Sequence, residues 1–337
     1  QWTVQVLRTC QRVPNLGVPS QMRGVVDLYD VTDDWLPVYD CSDLAGFYMA
    51  VGTSGNQYKN GPVVGRLMAE LIADGFKATP TNAREGLANL TRGLVTDIPD
   101  IAWCQDDLVA GCRREVPVRI YHPEPSAALP VLVYLHGGGH MAGSVTVYDP
   151  ICRKLAHAAR HIVVSVDYRL APECPYPAGV KDAYSVVKNL WPILRGRNLN
   201  FAEKLSVAGD SGGGALCATV CHLAQFDAGV TIQRQALIYP SLDYTMHWPS
   251  IDQNGQGYLL ERHKIAWYFD HYFQNAENRQ AASPLYMAFT KALPASLVIT
   301  AEFCPLRDEG FAYVEKLRQA DVETDHFHLE DMIHAFM

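Results

Sequence analysis

The amino-acid sequence predicts an α/β fold with a mostly parallel, doubly wound sheet and a helical cap. Three features carry this prediction. Apolar runs of strand length alternate with helical patterns from about residue 116 onward, as in parallel sheets with right-handed crossovers. Some runs, such as 162–166, are apolar almost throughout, which is typical of strands buried on both faces. Glycine-rich turns follow two of the runs directly.

The first part of the chain carries less information. Residues 1–60 show no sustained periodicity, and we treat them as an N-terminal extension to which no role is assigned. From Gly61 apolar residues recur at helical spacing, and a second helical stretch follows over 83–94. The two predicted helices are amphipathic, so they pack either on the core or over a pocket as part of a lid.

The strand-rich part begins after residue 100. Residues 116–121 alternate apolar and polar side chains, which indicates a half-exposed strand, and 131–135 indicates a fully buried one. The interval 243–282 is longer than a crossover needs and rich in aromatic residues, which suits an inserted lid over an apolar pocket. The pattern then predicts helices over 152–160, 178–194, 212–225, 259–274 and 308–320, and strands over 162–166, 204–208, 235–239, 296–301 and 325–330.

Composition excludes several classes of function. The formal net charge of −8 over 337 residues disfavours nucleic acid or an anionic membrane surface as a partner. The longest apolar runs are far shorter than a membrane span. The nine cysteines form no C-x-x-C pair, so neither a zinc ribbon nor a disulfide framework is indicated. We therefore expect reduced thiols and a cytoplasmic location. The sequence leaves open whether the chain forms a homodimer.

A serine flanked by glycines stands at the turn between a predicted strand and a predicted helix. The segment Gly209-Asp210-Ser211-Gly212-Gly213 matches the pattern G-x-S-x-G. In this pattern the serine sits on strained backbone at the carboxyl edge of a sheet, and the glycines leave room for the neighbouring strand and helix. Ser211 is therefore a candidate nucleophile. The alternative, a serine that only caps the following helix, is also typical of serine.

A second glycine-rich turn, His136-Gly137-Gly138-Gly139, follows the strand 131–135. Its backbone N–H groups suit the stabilisation of a developing oxyanion. A phosphate loop would need a following G-K-[ST] or G-x-G-x-x-G, and neither is present, so we expect no nucleotide cofactor. His136 is more suited to brace this loop than to act as a base.

The general base should follow the last strand, because in hydrolases with this strand order the catalytic residues occur along the chain in the order serine, acid, histidine. His334 fits that place. His326 and His328 alternate within the last predicted strand, but together with His334 they lack a fourth ligand, so no metal site is expected.

Several motifs together resemble the bacterial hormone-sensitive-lipase-like esterases, which have the α/β-hydrolase fold. The resemblance covers residues 60 to 337 and rests on motifs in the family's order: 136–139, 167–173, 209–213, 283–285, 305–310 and His334. It implies carboxylic-ester hydrolysis through an acyl-enzyme, with Ser211 as nucleophile and His334 as base. It also implies an oxyanion hole made by the N–H groups of Gly138, Gly139 and Gly212. The implied domains are a helical cap over 61–100 and 245–275 and a catalytic domain over 101–337, into which the second cap segment is inserted.

One position departs from the family's pattern. The resemblance places the catalytic aspartate where this chain has Cys304, and a thiol is a weak, mostly uncharged hydrogen-bond partner at neutral pH. Three carboxylates are candidates to replace it. Asp308 lies one helical turn beyond Cys304 and is the favoured candidate, Glu302 lies two residues before it, and Asp243 follows the preceding strand.

The sequence thus predicts a serine esterase that acts on small, short-chain esters without a cofactor. Two alternatives stay open. The thiol at position 304 would suit a ligand-binding protein that has kept a hydrolase pocket without turnover, like the similar plant gibberellin receptors. An amidase or deacetylase would use the same serine, because the leaving group is selected by pocket shape and proton delivery.

Overall fold

The computed structural model describes residues 38–41, 48–51, 79–95 and 97–337. The chain divides into two units, Gln1–Lys77 and Ala78–Met337. In the first unit, β1 (Val38–Cys41) and β2 (Tyr48–Val51) pair as an antiparallel ribbon. The remainder of the predicted extension and the helix predicted from Gly61 lie outside the described residues.

The second unit contains one sheet and its covering helices. Its strands are β3 (Trp103–Ala110), β4 (Glu115–His122), β5 (Leu129–Leu135), β6 (Ile162–Val166), β7 (Phe201–Asp210), β8 (Arg234–Ile238), β9 (Ala295–Phe303) and β10 (Thr324–Ile333). Its α-helices are α1 (Pro80–Leu94), α2 (Asp149–Ala159), α3 (Ala178–Asn189), α4 (Trp191–Gly196), α5 (Gly212–Ala224), α6 (Pro249–Gln253), α7 (Arg262–Tyr272), α8 (Arg279–Ala282) and α9 (Arg307–Gln319).

The eight strands lie in the order β10-β9-β8-β7-β5-β6-β4-β3. Pairs from β10 to β6 are parallel, whereas β4 is antiparallel to both β6 and β3. The predicted mostly parallel α/β sheet is confirmed. Because β5 lies between β6 and β7, the chain changes its winding direction there, and the carboxyl ends of β5 and β7 are adjacent. Ligands of open α/β sheets bind at such a switch point.

The sequence pattern missed β3. Strand β3 is an edge strand with exposed polar residues, and its pairing with β4 and the ion pair between Arg119 and Asp106 hold it in place. Strand β4 shows the predicted alternation up to residue 120, because buried apolar residues alternate with partly exposed ones, and Tyr121 and His122 at its end are both buried. The helix predicted over 178–194 is two helices, since Pro192 near the start of α4 offers no N–H to a continuing helix.

The core lies on both faces of the sheet. Strands β5, β6 and β7 contribute fully buried side chains such as Leu135, Val164 and Val207. Helix α5 is buried over almost its whole length, as its apolar sequence predicted. Among the described residues, no helix combines the length and the apolar character needed to cross a membrane.

Candidate active site

Ser211 occupies the turn between β7 and α5. Its φ of 52° is a left-handed conformation that non-glycine residues rarely adopt. A Cβ on Gly213 would lie 2.0 Å from the carbonyl oxygen of Leu135, and one on Gly209 would lie 2.6 Å from Gly213. Only glycines therefore let the strand and the helix approach closely enough to form this turn. The result is a serine hydroxyl presented at the carboxyl edge of the sheet.

His334 lies against this hydroxyl. Its Nε2 atom is 3.0 Å from Ser211 Oγ, although 123 residues separate the two in the sequence. The imidazole is buried, with its ring centroid 4.7 Å from that of Tyr239. Burial lowers the pKa of His334 to about 3, so the ring is neutral at physiological pH. A neutral imidazole is the form that a general base requires.

The loop after β5 supplies backbone donors beside the serine. Gly138 and Gly139 have positive φ angles of 107° and 60°, which glycine adopts without steric cost. In the described part of the chain, no protein acceptor takes the N–H groups of Gly138, Gly139 or Gly212. A Cβ on Gly212 would lie 3.4 Å from the nitrogen of Gly139, so the loop lies against the first residue of α5. This arrangement suits a developing oxyanion.

Hydrogen bonds to the side chain of Asp210 connect this loop to the serine turn. Its buried carboxylate accepts hydrogen bonds from Gly137 N–H at 2.8 Å, Tyr134 O–H at 2.8 Å and Tyr148 O–H at 3.0 Å. Burial raises the pKa of Asp210 to about 6, while these three bonds act in the opposite direction. No motif in the sequence predicted this role of Asp210. Its only signal was an ionisable residue in an otherwise apolar stretch next to the serine.

His136 lies behind the same loop. Its Nδ1 atom is 2.8 Å from the carbonyl oxygen of Gly137, and its ring stacks on Tyr168 with centroids 4.4 Å apart. Burial lowers the pKa of His136 to about 4. The hydroxyl of Tyr168 donates to the carbonyl oxygen of His136 at 2.6 Å. These contacts suit the bracing role expected of His136.

Cys304 occupies the acid position of the site. Its Sγ atom is 3.1 Å from Nδ1 of His334 on the side of the ring opposite Ser211, and it accepts the N–H of Leu306 at 3.3 Å. The side chain is 1% exposed, and burial raises the pKa of the thiol far above its ordinary value. The group beside the imidazole is therefore a neutral thiol.

The favoured replacement, Asp308, does not reach His334. Its carboxylate accepts the N–H of Ser250 at 2.9 Å and a hydrogen bond from Arg307 Nε at 2.9 Å. Asp308 lies in the first turn of α9, and these contacts turn its side chain toward α6. The prediction that Asp308 would reach the imidazole from one helical turn away rested on sequence spacing alone. Spacing does not determine the direction in which a helical side chain points.

The other two carboxylates are also engaged elsewhere. Glu302 pairs with Arg307 at 2.6 Å and with His328 at 3.0 Å. Asp243 is fully buried and accepts hydrogen bonds from Trp248 Nε1 and Tyr286 O–H, both at 2.8 Å. Within the described ranges, therefore, no carboxylate hydrogen-bonds the imidazole of His334.

Side chains of α7 and α1 lie beside the glycine loop. Tyr268 of α7 lies so close to Gly139 that a Cβ there would be 2.7 Å from its ring. Arg84 of α1 donates to the carbonyl oxygens of Met141 at 2.8 Å and Ala171 at 2.9 Å. Tyr268 belongs to the aromatic interval that the sequence placed over an apolar pocket, whereas Arg84 stands in no motif and its role was missed. A cavity of about 20 Å³ beside the serine is lined by Gly139, His140, Ser211, Gly212, Ser241, Leu260, Ile265, Tyr268, Phe269 and Leu306.

The described ranges hold no cluster of three or more histidine, cysteine, aspartate or glutamate side chains placed to bind a metal ion. His326 Nε2 and His328 Nδ1 flank the hydroxyl of Thr300 at 2.9 and 3.0 Å. These two histidines thus have partners of their own, apart from His334.

The fold and the site together define a hydrolase class, with a serine on a strained turn, a histidine at its hydroxyl and a glycine-rich loop at the sheet's switch point. The family model described as "alpha/beta hydrolase fold" matches residues 132–337. The chain belongs to this family, in its hormone-sensitive-lipase-like group of carboxylic ester hydrolases, and the predicted fold and family are confirmed.

Named relatives agree with this placement. The carboxylic ester hydrolase LipN of Mycobacterium tuberculosis is 37% identical over 238 residues, which are 68% of this chain and 63% of that protein, so the match spans less than two thirds of LipN. The ethyl acetate hydrolase of Pseudomonas putida is 34% identical over 250 residues, 72% of this chain and 77% of that protein. The solved hyperthermophilic esterase of the archaeon Pyrobaculum calidifontis has a TM-score of 0.70 and 34% identity, covering 82% of this chain and 90% of its own.

Proposed function

We propose that this chain is a serine carboxylesterase that hydrolyses short-chain carboxylic esters through an acyl-enzyme on Ser211. The observation that carries the proposal is the 3.0 Å separation between His334 Nε2 and Ser211 Oγ, beside N–H groups of the glycine loop that have no acceptor in the described part of the protein. A nucleophile within hydrogen-bond reach of a base is the arrangement that covalent catalysis needs.

The reaction follows from this geometry. Ser211 Oγ attacks the ester carbonyl carbon while Nε2 of His334 takes the hydroxyl proton. The N–H groups of Gly138, Gly139 and Gly212 stabilise the negative charge on the carbonyl oxygen. The protonated imidazole then gives its proton to the leaving alcohol, which leaves the acyl group on Ser211. Water, activated by the same imidazole, releases the acid and restores the serine.

The small, mainly apolar cavity supports an ester with a short acyl chain. Tyr268, Ile265 and Phe269 of the cap close the space beside the serine. Each additional methylene must displace these packed side chains or push the cap outward, which is unfavourable in a well-packed site. Amide hydrolysis would use the same residues, but an amine is a poorer leaving group than an alcohol. The substrate test therefore compares an ester with the corresponding amide.

The neutral thiol of Cys304 favours a second candidate, a ligand-binding protein with the same pocket and negligible turnover. Among the residues that the structure describes, no carboxylate lies at the imidazole to stabilise the imidazolium that forms during catalysis. In serine proteases the neutral replacement of the acid costs about 10⁴-fold in turnover. Such a loss would leave the pocket intact for binding.

The first measurement is labelling with a fluorophosphonate, detected as an increase in the mass of the intact protein. The second compares the rates of hydrolysis of nitrophenyl acetate and of the corresponding anilide. We expect one covalent label and ester hydrolysis that is faster than amide hydrolysis, with both labelling and hydrolysis lost in Ser211→Ala. Ser241→Ala is the matched control, because Ser241 lines the same cavity and its N–H donates to the carbonyl oxygen of Ser211 at 3.1 Å. Hydrolysis that survives in Ser211→Ala would contradict the proposal. Tight binding of a ligand without any label would support the second candidate.

A cytoplasmic location belongs to the same proposal. It is supported by the cysteines at 104, 112, 152, 174, 217, 221 and 304, which are all free thiols, as expected in a reducing compartment. Light scattering on the purified protein would separate a monomer from a homodimer.

A further inference from the structure

The contact between Cys304 and His334 decides which nitrogen of the imidazole carries the proton. In the described structure, His334 Nδ1 has the Cys304 thiol as its neighbour and Nε2 has Ser211 Oγ. A neutral imidazole has one N–H donor and one acceptor nitrogen. Only the tautomer with the proton on Nδ1 leaves Nε2 free to take the serine proton.

A carboxylate and a thiol beside Nδ1 favour opposite tautomers of the His334 imidazole. A carboxylate accepts only, so it holds the proton on Nδ1. The thiol of Cys304 keeps its own proton, and its sulfur already accepts the N–H of Leu306 at 3.3 Å. The buried S–H group therefore needs an acceptor, and the one within reach is Nδ1 at 3.1 Å.

The number of hydrogen-bond donors around the imidazole also favours the tautomer with its proton on Nε2. With the proton on Nε2, the S–H group donates to Nδ1 and the Nε2–H group donates to Ser211 Oγ, while the serine's own proton faces the cavity. With the proton on Nδ1, the imidazole adds a second donor to the sulfur and leaves the buried S–H without an acceptor. Burial of an unpaired donor is unfavourable, whereas a hydroxyl beside a cavity can find another partner.

We propose that Cys304 is a positioning residue that holds His334 in the tautomer with its proton on Nε2, so that the resting site binds substrate but does not activate Ser211. This inference rests on the serine mechanism proposed above. To accept the serine proton, the imidazole must first lose the proton on Nε2 and gain one on Nδ1. The consequence is a slow hydrolase whose pocket and oxyanion loop are intact.

The first test measures turnover on nitrophenyl acetate across pH for Cys304→Asp, with Cys304→Asn as its matched control. Both substitutions have the same shape, but only aspartate is an ionised acceptor. We expect Cys304→Asp to raise kcat on the order of 10²- to 10⁴-fold, with a rate that rises toward neutral pH as the imidazole, now beside an anion, titrates. Cys304→Asn should show no comparable rise. Circular dichroism and thermal melting check that both variants are folded.

The second test reads the tautomer directly in the unsubstituted protein. Long-range ¹H–¹⁵N correlation spectra distinguish the protonated from the unprotonated imidazole nitrogen, and His334→Gln assigns the signal by its loss. We expect the proton on Nε2 here and on Nδ1 in Cys304→Asp. A resting Nδ1–H tautomer would overturn the inference, and so would a folded Cys304→Asp variant that is no faster than an original protein whose Ser211 takes the label. If Ser211 takes no label and Cys304→Asp is inactive while the spectra still show Nε2–H, the esterase proposal fails and the tautomer assignment stands.

Discussion

The carboxylate of Asp210 accepts a hydrogen bond from the backbone N–H of Gly137 at 2.8 Å, and so joins the serine turn to the loop that carries the proposed oxyanion donors. The two turns follow β7 and β5, which are neighbours in the sheet but far apart in the chain. The same carboxylate accepts the hydroxyls of Tyr134 and Tyr148. Three chain segments, 134–137, the one around Tyr148 and the serine turn, are thereby held at one buried anion.

We predict that Asp210→Ala lowers turnover by about 10- to 100-fold, because misplacing the donors by a fraction of an ångström weakens oxyanion stabilisation. The measurement is ester hydrolysis by protein shown to be folded. Asp182→Ala is the control, since Asp182 is also buried but binds Arg169 rather than the site. The control should lose stability and keep its turnover. Equal losses of turnover in both variants would mean that the effect is one of folding.

We predict that Asp308→Asn keeps a similar turnover and lowers the free energy of unfolding by roughly 1–2 kcal/mol, because its carboxylate accepts charge-assisted hydrogen bonds that contribute about that much. The donors are Ser250 N–H and Arg307. Parallel measurement of ester hydrolysis and urea unfolding separates the two effects. If the folded variant hydrolysed the ester more slowly by a factor on the order of 10² or more, Asp308 would be the acid after all.

We predict that Tyr268→Ala shifts preference toward longer acyl chains. Tyr268 lines the cavity and contacts Gly139, so its removal opens space beside the serine. The ratio of kcat/KM for nitrophenyl octanoate over acetate should rise at least about tenfold, which is the lower end of the discrimination that one methylene group gives in an apolar pocket. Trp267→Ala removes a neighbouring aromatic side chain of α7 that does not line the cavity. An equal shift in this control would argue against a specific role for Tyr268.

We predict a loss of stability on acidification from pH 7 to pH 5. Burial lowers the pKa of His136 and His222 to about 4 and that of His140 and His334 to about 3. The unfolded chain binds protons near its ordinary histidine pKa of about 6.5, and the folded chain does not, so stability falls as pH drops through that value. Each histidine contributes roughly 2 kcal/mol of this loss at pH 5.

Two buried carboxyl groups act in the opposite direction. Burial raises the pKa of Asp210 to about 6 and that of Glu309 well above its ordinary value. The folded chain therefore holds protons that the unfolded chain lacks above its ordinary carboxyl pKa, which offsets part of the loss. Urea unfolding at pH 7 and pH 5 measures the net change in the free energy of unfolding. His222→Gln should flatten the pH dependence, whereas substitution of the exposed His263 by glutamine should leave it as it was. Unfolding curves that coincide at the two pH values would show that these histidines titrate normally.

The sequence by itself determined the parts of this protein that depend on local backbone sterics. Strands buried on both faces need unbroken apolar runs, and the serine turn needs glycine at 209 and 213 because any Cβ would collide there. The glycines of the loop 136–139 and the late histidine at 334 were likewise evident as patterns. The mostly parallel sheet and the hydrolase family followed from them.

Only the tertiary structure decided which side chains meet. Helical spacing suggested that Asp308 could replace the missing acid, but its side chain turns toward Ser250, and the thiol of Cys304 meets His334 instead. The role of Asp210 and the edge strand β3 were missed for the same reason. Such contacts join segments that are distant in the chain, so they are set by how whole elements pack and by side-chain direction, neither of which residue spacing encodes.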